Sequence, residues 1–491
     1  MSQTANLNAK GGALPTISAA FHLDKTQAEL DFVDVALHTD NPLFLDPFAI
    51  SLQRDNWSQD AAATIRTFFQ QTVDYILAHR EDDALELLHH LREPNETRLG
   101  YSRHRPQGAG VGSAQAEQIF DALNASAAVR TGFITALEEA ELLIPGIARD
   151  KISDLTTNII RHHLAEYTDA QCHLHGISTQ HVAMPACFDA DALRWEARYL
   201  DLPVHGNRPI LFVPKAVVRY SPAYQQQKYY DHYMLEFLRE EELAKPRSNL
   251  VRVLKSGRRR VYKKNLKELY PSGKEYLFDF SRRHPEVLQR YRAELAELER
   301  SGESRDLNEG DESVIAGALA EVLRNIAPGD NGATPYHRLM IGIVEFIFYP
   351  SLEHPRKELE IHEGRKRIDI VMENSAQRGI FFNIPTVRQI PCAYVPFECK
   401  NYGREVGNPE LDQIAGRFGV NRGQVGFLCC RSFEDRERFI QRCRDTFRDG
   451  RGIVLPLDDA TVLRYLELVE AGNRHALEQE WSNLLAEVAL N

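Results

Sequence analysis

Two short β-patterned runs, RIDIVM at 367–372 and AYVPFECK at 393–400, constrain this 491-residue chain more than any other feature. Successive side chains of a strand point to opposite faces. The first run therefore puts Ile368, Ile370 and Met372 on one face and Arg367, Asp369 and Val371 on the other. In the second, Tyr394, Val395 and Phe397 lead into Glu398, Cys399 and Lys400, and the same period sends Glu398 and Lys400 to one face with Cys399 opposite. If the two strands are neighbours, Asp369, Glu398 and Lys400 converge.

Two carboxylates a few ångströms apart repel unless a cation or a proton lies between them. Hard oxygen donors with room for water suit Mg2+ or Mn2+ better than zinc. Such a cation polarises a phosphoryl oxygen and acidifies a bound water, and the Lys400 ammonium is of the right charge to steady the transition state. Phosphodiester hydrolysis is the reaction this trio suggests. The rival reading is a salt bridge on an edge strand, which is common and worth little.

The flanking segments narrow the choice. Upstream, TPYHRLMIGIVEFIFYP at 334–350 spaces Leu339, Met340, Ile343, Val344, Ile347 and Phe348 as on one helix, with Glu345 as its single acidic residue. Downstream, NPELDQIAGRFG at 408–419 predicts a helix with Asn408 as N-cap, Pro409 at the first helical position, and Gln413 and Arg417 one turn apart. QVGFLCCRS then reads as another buried strand.

This order of helix, hairpin, strand, helix and strand over about 335–431 resembles the PD-(D/E)xK nuclease superfamily, the fold of many restriction endonucleases and DNA-repair nucleases. The resemblance implies a restriction-endonuclease-like mixed sheet flanked by helices. It also implies Asp369 and Glu398 as metal ligands, Lys400 as catalytic lysine, Glu345 as an assisting acidic residue and Gln413 as the polar residue that follows the core motif. The sequence departs from the pattern at Ile368, where a proline usually precedes the aspartate. The resemblance further implies Mg2+ (or Mn2+) as cofactor, double-stranded DNA as polymer, and a homo-oligomer if both strands are cut. A nuclease domain fused to a large region without helicase or methyltransferase motifs resembles the restriction and anti-phage defence effectors of bacteria. DNA-repair or RNA cleavage, a catalytically silent nucleic-acid binder, and a protein-interaction module are the alternatives.

A net charge of −11 argues against a surface that coats nucleic acid indiscriminately, so DNA binding requires locally concentrated cations. They occur in LVRVLKSGRRRVYKKNLKELY at 250–270, where Arg258, Arg259, Arg260, Lys263 and Lys264 surround an expected hairpin turn at Ser256 and Gly257, with Tyr262 interleaved. Arg365, Lys366 and Arg367 form a second basic element beside Asp369. The bland reading of both is a solvated charged loop.

The length predicts more than one core. We expect an α/β (α+β) protein: a mostly helical region over 1–200, a basic and helical middle segment with linker over 201–312, and the nuclease-like domain over 313–491. Segments such as AAATIRTFFQQTVDYILAH, SAQAEQIFDALNAS, GFITALEEAELL and ISDLTTNIIRHHLAEYTDAQC predict amphipathic helices, whereas RPILFVPKAVV predicts one buried strand ending near Pro214. GAGVGS at 108–113 reads as a flexible turn before a helix. Cys172, His173, His175, His181 and Cys187 are zinc-capable but lack paired ligand spacing, and helix-end histidines are the plainer reading. Seven scattered cysteines and the absence of about 18 consecutive apolar residues predict reduced thiols, a cytoplasmic location and no membrane partner.

Overall fold

A computed structural model describes residues 15–39, 41–99, 111–221, 223–301, 312–357 and 370–489. The chain folds as a mixed α/β protein with two hydrophobic cores. The first core runs from Ile17 to Leu295 and draws on residues from both sides of position 200. The second is built almost entirely from residues beyond 315, joined by Ala28 and Leu174 of the first part.

The first part is mostly helical, and its strands are short antiparallel pairs. Its longest helix, Asn56–Leu77, starts at Asp55, whose side chain caps the Ser58 N–H. The run expected as one helix over 152–172 is two, Arg149–Ile159 and Arg161–His175, meeting at a non-helical Ile160. The run GFITALEEAELL yields only a single tight turn, Leu137–Glu139, and the four-residue helix Ala140–Leu143. The buried strand expected from Arg208 to about Pro214 does not form as one element. Within it only Arg208–Pro209 is a strand, although Ile210, Leu211, Phe212 and Val213 are all buried; a separate two-residue strand, Val218–Arg219, follows. Scattered partners satisfy that backbone instead of a ladder: Leu211 N–H donates to Glu96 O, Phe212 N–H to Thr168 Oγ1, and Val213 O accepts from Val33 N–H.

The second part is a five-stranded sheet. Its helices α1 (Glu312–Asn325) and α2 (Asp330–Phe348) precede β1 (Leu352–Arg356), β2 (Ile370–Asn374), α3 (Gly379–Thr386) and β3 (Tyr394–Lys400). Then follow α4 (Asn408–Ala415), β4 (Val425–Cys430), α5 (Arg436–Arg448), β5 (Ile453–Asp458), α6 (Asp459–Glu470) and α7 (Arg474–Ala489). The strands lie in the order β1-β2-β3-β4-β5. The first two pairings are antiparallel and the last two parallel, the parallel crossovers carrying α4 and α5.

Period-two burial explains the layering. Phe397 pairs with Phe427 across β3 and β4, and their rings stack at 4.8 Å beneath Phe348 of α2, which in turn stacks on Trp481 of α7. Val395, Phe397, Val425 and Phe427 make that face of β3 and β4 apolar, so the intervening Glu398 and Lys400 go to the other face, towards α4.

Candidate active site

The strand alternation read from AYVPFECK holds through Lys400. Glu398 is buried, and Lys400 Nζ donates to its Oε1 at 2.5 Å. The same oxygen accepts from Gln413 Nε2 at 2.7 Å, and Glu398 Oε2 lies 3.2 Å from Arg417 Nη2. Thus one buried carboxylate gathers an ammonium, an amide and a guanidinium. Gln413 and Arg417 reach it together because they stand one turn apart on the face of α4, and its immediate continuation, that covers β3.

Helix α4 begins one residue earlier than its sequence suggests. Gly407 occupies the N-cap position, its N–H donating to Glu410 Oε2 at 2.8 Å, with Pro409 second in the helix. At the other end, Phe418 lies on two glycines. A Cβ on Gly426 would stand 2.9 Å from Pro396 Cγ and 3.0 Å from Phe418 Cε1, and Gly452, at φ +100°, would drive a Cβ into the same ring. This close approach seats the preceding Arg417 over Glu398.

The residue after Lys400 anchors the strand end. Asn401 Nδ2 donates to the carbonyls of Ala327 and Gly329 at 3.1 and 2.7 Å, in the turn between α1 and α2. Arg431, just past β4, donates to Asn401 Oδ1 and to Ile326 O, and its Nε lies 3.0 Å from Asp459 Oδ2. Burial pushes the Asp459 carboxyl up to about 6, against the pull of Arg431.

Of the other residues read from the sequence, Asp369, Arg365, Lys366 and Arg367 lie outside the described residues. Their neighbour Ile370 pairs with Phe397, next to Glu398. Glu345 is fully buried and takes a different partner, Lys215 Nζ at 2.8 Å, contributed by the first part of the chain. Burial raises its carboxyl to about 7, opposed by Lys215 and reinforced by Asp31.

The basic hairpin forms, with Arg252–Val253 pairing antiparallel to Arg259–Arg260 and Gly257 at φ +76° in its turn. Arg258, Arg259, Arg260 and Lys264 are exposed, Arg260 lying over the Tyr262 ring at 4.9 Å. Lys263 is held by Glu236 at 2.6 Å. The zinc-capable residues do not gather: Cys172 is buried, His173 pairs with Asp169, His175 packs edge-on to Phe32, and His181 pairs with Asp201. All seven cysteines are free thiols, and among the described residues no helix is long and apolar enough to cross a membrane.

A second polar cluster escaped the sequence reading. His354 on β1 sits between two aspartates of the first part, with Nδ1 3.4 Å from Asp31 Oδ2 and Nε2 3.1 Å from Asp55 Oδ1. Burial works against a charged imidazole there, but Asp55 and Asp31 outweigh it and hold His354 well above the usual histidine range. Beside it, Glu353 and Glu373 stand directly opposite each other on β1 and β2, both buried.

The comparisons with known proteins fall on the first part of the chain. Residues 22–225 match the model of a domain of unknown function (DUF8370). Neither the curated proteins nor the solved structures returned a match. The match includes Asp31, Asp55 and Lys215, the residues that meet the sheet, and stops before the basic hairpin and Glu398.

Proposed function

We propose that the protein is a metal-dependent nuclease of the PD-(D/E)xK type, acting on DNA, with Glu398 and Lys400 at its centre. The observation that carries this reading is the convergence of Lys400 and Gln413 on one oxygen of Glu398, at 2.5 and 2.7 Å. The five-stranded sheet, with α2 before it and α4 between the parallel strands β3 and β4, supports the reading, because that element order is the one the sequence resemblance leads one to expect.

The donor set suits a hard cation. Glu398 offers carboxylate oxygens on the site face, while the Cys399 thiol belongs to the opposite face of the strand. Glu398 and Asp369 would hold Mg2+ or Mn2+, which supplies Lewis acidity and a bound water of lowered pKa. The chain does the rest. Gln413 fixes the orientation of the Glu398 carboxylate through its amide N–H. Arg417 offsets the buried charge of Glu398. Lys400 presents an ammonium that stabilises negative charge developing on a phosphoryl oxygen as water attacks phosphorus. The exposed Arg258, Arg259, Arg260 and Lys264 contact backbone phosphates, a sequence-independent attraction that a chain of net charge −11 must concentrate locally.

The test is cleavage of supercoiled plasmid, linear duplex, single-stranded DNA and RNA with Mg2+, Mn2+ or EDTA, comparing the native chain with Asp369→Ala, Glu398→Gln and Lys400→Ala. Metal-dependent cutting that all three variants lose supports the reading and names the polymer. Equal cutting by the variants, or none by the native chain on any polymer, overturns it.

A further inference from the structure

The cluster around His354 joins the two parts of the chain at a place the proposed nuclease chemistry does not use. Ligand atoms of Asp55, Glu353 and His354 all lie within 4.8 Å of one another, and all three residues are buried. Adjacent residues of a regular strand point to opposite faces, so Glu353 and His354 should not share a site. They do because β1 is bulged. Glu353 pairs with Glu373 and Arg356 with Val371, so two residues, His354 and Pro355, stand where the partner strand has one. His354 also takes the left-handed conformation, φ +52°, which is uncommon for a side chain of its size.

Two features point to a cation. The first is the imidazole itself. It is 5 % exposed, and although carboxylate oxygens stand 3.4 and 3.1 Å from its two nitrogens, neither nitrogen makes a hydrogen bond of acceptable geometry. The second is the geometry of the carboxylates: Asp31, Asp55 and Glu353 are buried around this one imidazole, and ligand atoms of Asp55 and Glu353 lie within 4.8 Å of it and of each other.

We propose that Asp55, Glu353 and His354 Nε2 bind a first-row transition cation, with Asp31 as the carboxylate behind the imidazole. One nitrogen and two carboxylate oxygens form a borderline donor set that favours Zn2+, Mn2+ or Co2+ over Mg2+. A ligating histidine usually gives its other ring N–H to a carboxylate, and Asp31 stands at Nδ1, itself fixed by the Tyr167 hydroxyl at 2.6 Å and by the His354 backbone N–H at 3.1 Å. On binding, the cation takes the place of the proton on Nε2. Because Asp31 and Asp55 lie within the 22–225 match and Glu353 and His354 lie on β1, the cation fastens that domain to the edge of the sheet.

The probe is Co2+ alone, applied to the full chain carrying Glu398→Gln so that the proposed nuclease site is silent. The Trp57 ring is 5.5 Å from His354, which gives an optical readout besides dialysis. We expect one equivalent of Co2+ with quenching of Trp57 fluorescence. Adding Asp55→Asn and Glu353→Gln together should weaken retention at least tenfold, and Trp57→Phe should abolish the quenching while leaving the stoichiometry intact. Trp57→Phe leaves every ligand in place, so it reports even if the carboxylate variants fold poorly. No retained Co2+, equal retention without the two carboxylates, or quenching that survives Trp57→Phe overturns the proposal.

Discussion

The Arg417 guanidinium lies 3.2 Å from Glu398 Oε2, and both side chains are buried. Removing one member of a buried ion pair typically costs about 3–5 kcal/mol, and the cost here should fall below that range because Lys400 still faces Glu398 when Arg417 is gone. Arg417→Leu should therefore lower the urea midpoint substantially. Adding Glu398→Gln should cost less in the Arg417→Leu background than in the native chain, because the charge that Arg417 offsets is already uncompensated there. If the double variant is as unstable as the sum of the singles, the pair is not coupled.

Gly426 tests how Arg417 is seated. A methyl group there meets Pro396 Cγ and the Pro396 carbonyl at 2.9 Å, and backbone cannot retreat as a flexible side chain would. Gly426→Ala should cost about 1–3 kcal/mol and reduce whatever activity Glu398 supports. Gly419→Ala, with nothing within 4 Å of the added methyl, is the matched control and should be near neutral. Equal thermal denaturation of the two variants would refute the packing account.

What the sequence disclosed was local. Alternation placed Glu398 and Lys400 on one face, helical spacing placed Gln413 and Arg417 together, and Gly257 marked a hairpin turn, because each depends on residues at most a few positions apart. The His354 cluster depends on Asp31 and Asp55, about 300 residues away, and on a bulge that no two-residue period anticipates. The segment 210–213 misled for a related reason: an apolar run signals burial, but its backbone found scattered partners instead of a neighbouring strand.

Stability should depend on pH through Asp154, on the helix Arg149–Ile159. Burial, then Glu93 and Asp150, raises its carboxyl from the ordinary value to about 7. A carboxyl raised in the folded state binds its proton more tightly there than in the unfolded chain. Its contribution to stability is therefore intact below about pH 4 and is lost as pH rises to about 7. Asp154→Asn should stabilise the protein by on the order of 2 kcal/mol at pH 8 and leave it unchanged at pH 4. Urea titrations at the two pH values check this, and equal effects at both would contradict it.

The basic hairpin separates cations that are available from cations already engaged. Arg258 and Lys264 are exposed, whereas Lys263 is held by Glu236 at 2.6 Å and also donates to Asp231 O at 3.0 Å. Each phosphate that the protein no longer neutralises lowers the slope of log affinity against log salt by about 0.9 on duplex DNA. Replacing Arg258 and Lys264 together by Ala should flatten that slope by nearly two and weaken binding uniformly across sequences. Lys263→Ala should change the slope little, because its charge is spent within the protein. Fluorescence anisotropy with a labelled duplex over a salt series decides the matter. Unchanged slopes for the Arg258 and Lys264 pair, or no binding of duplex by the native chain, would contradict the proposed phosphate contact, and a steep loss for Lys263 would mean that its pairing with Glu236 breaks on binding.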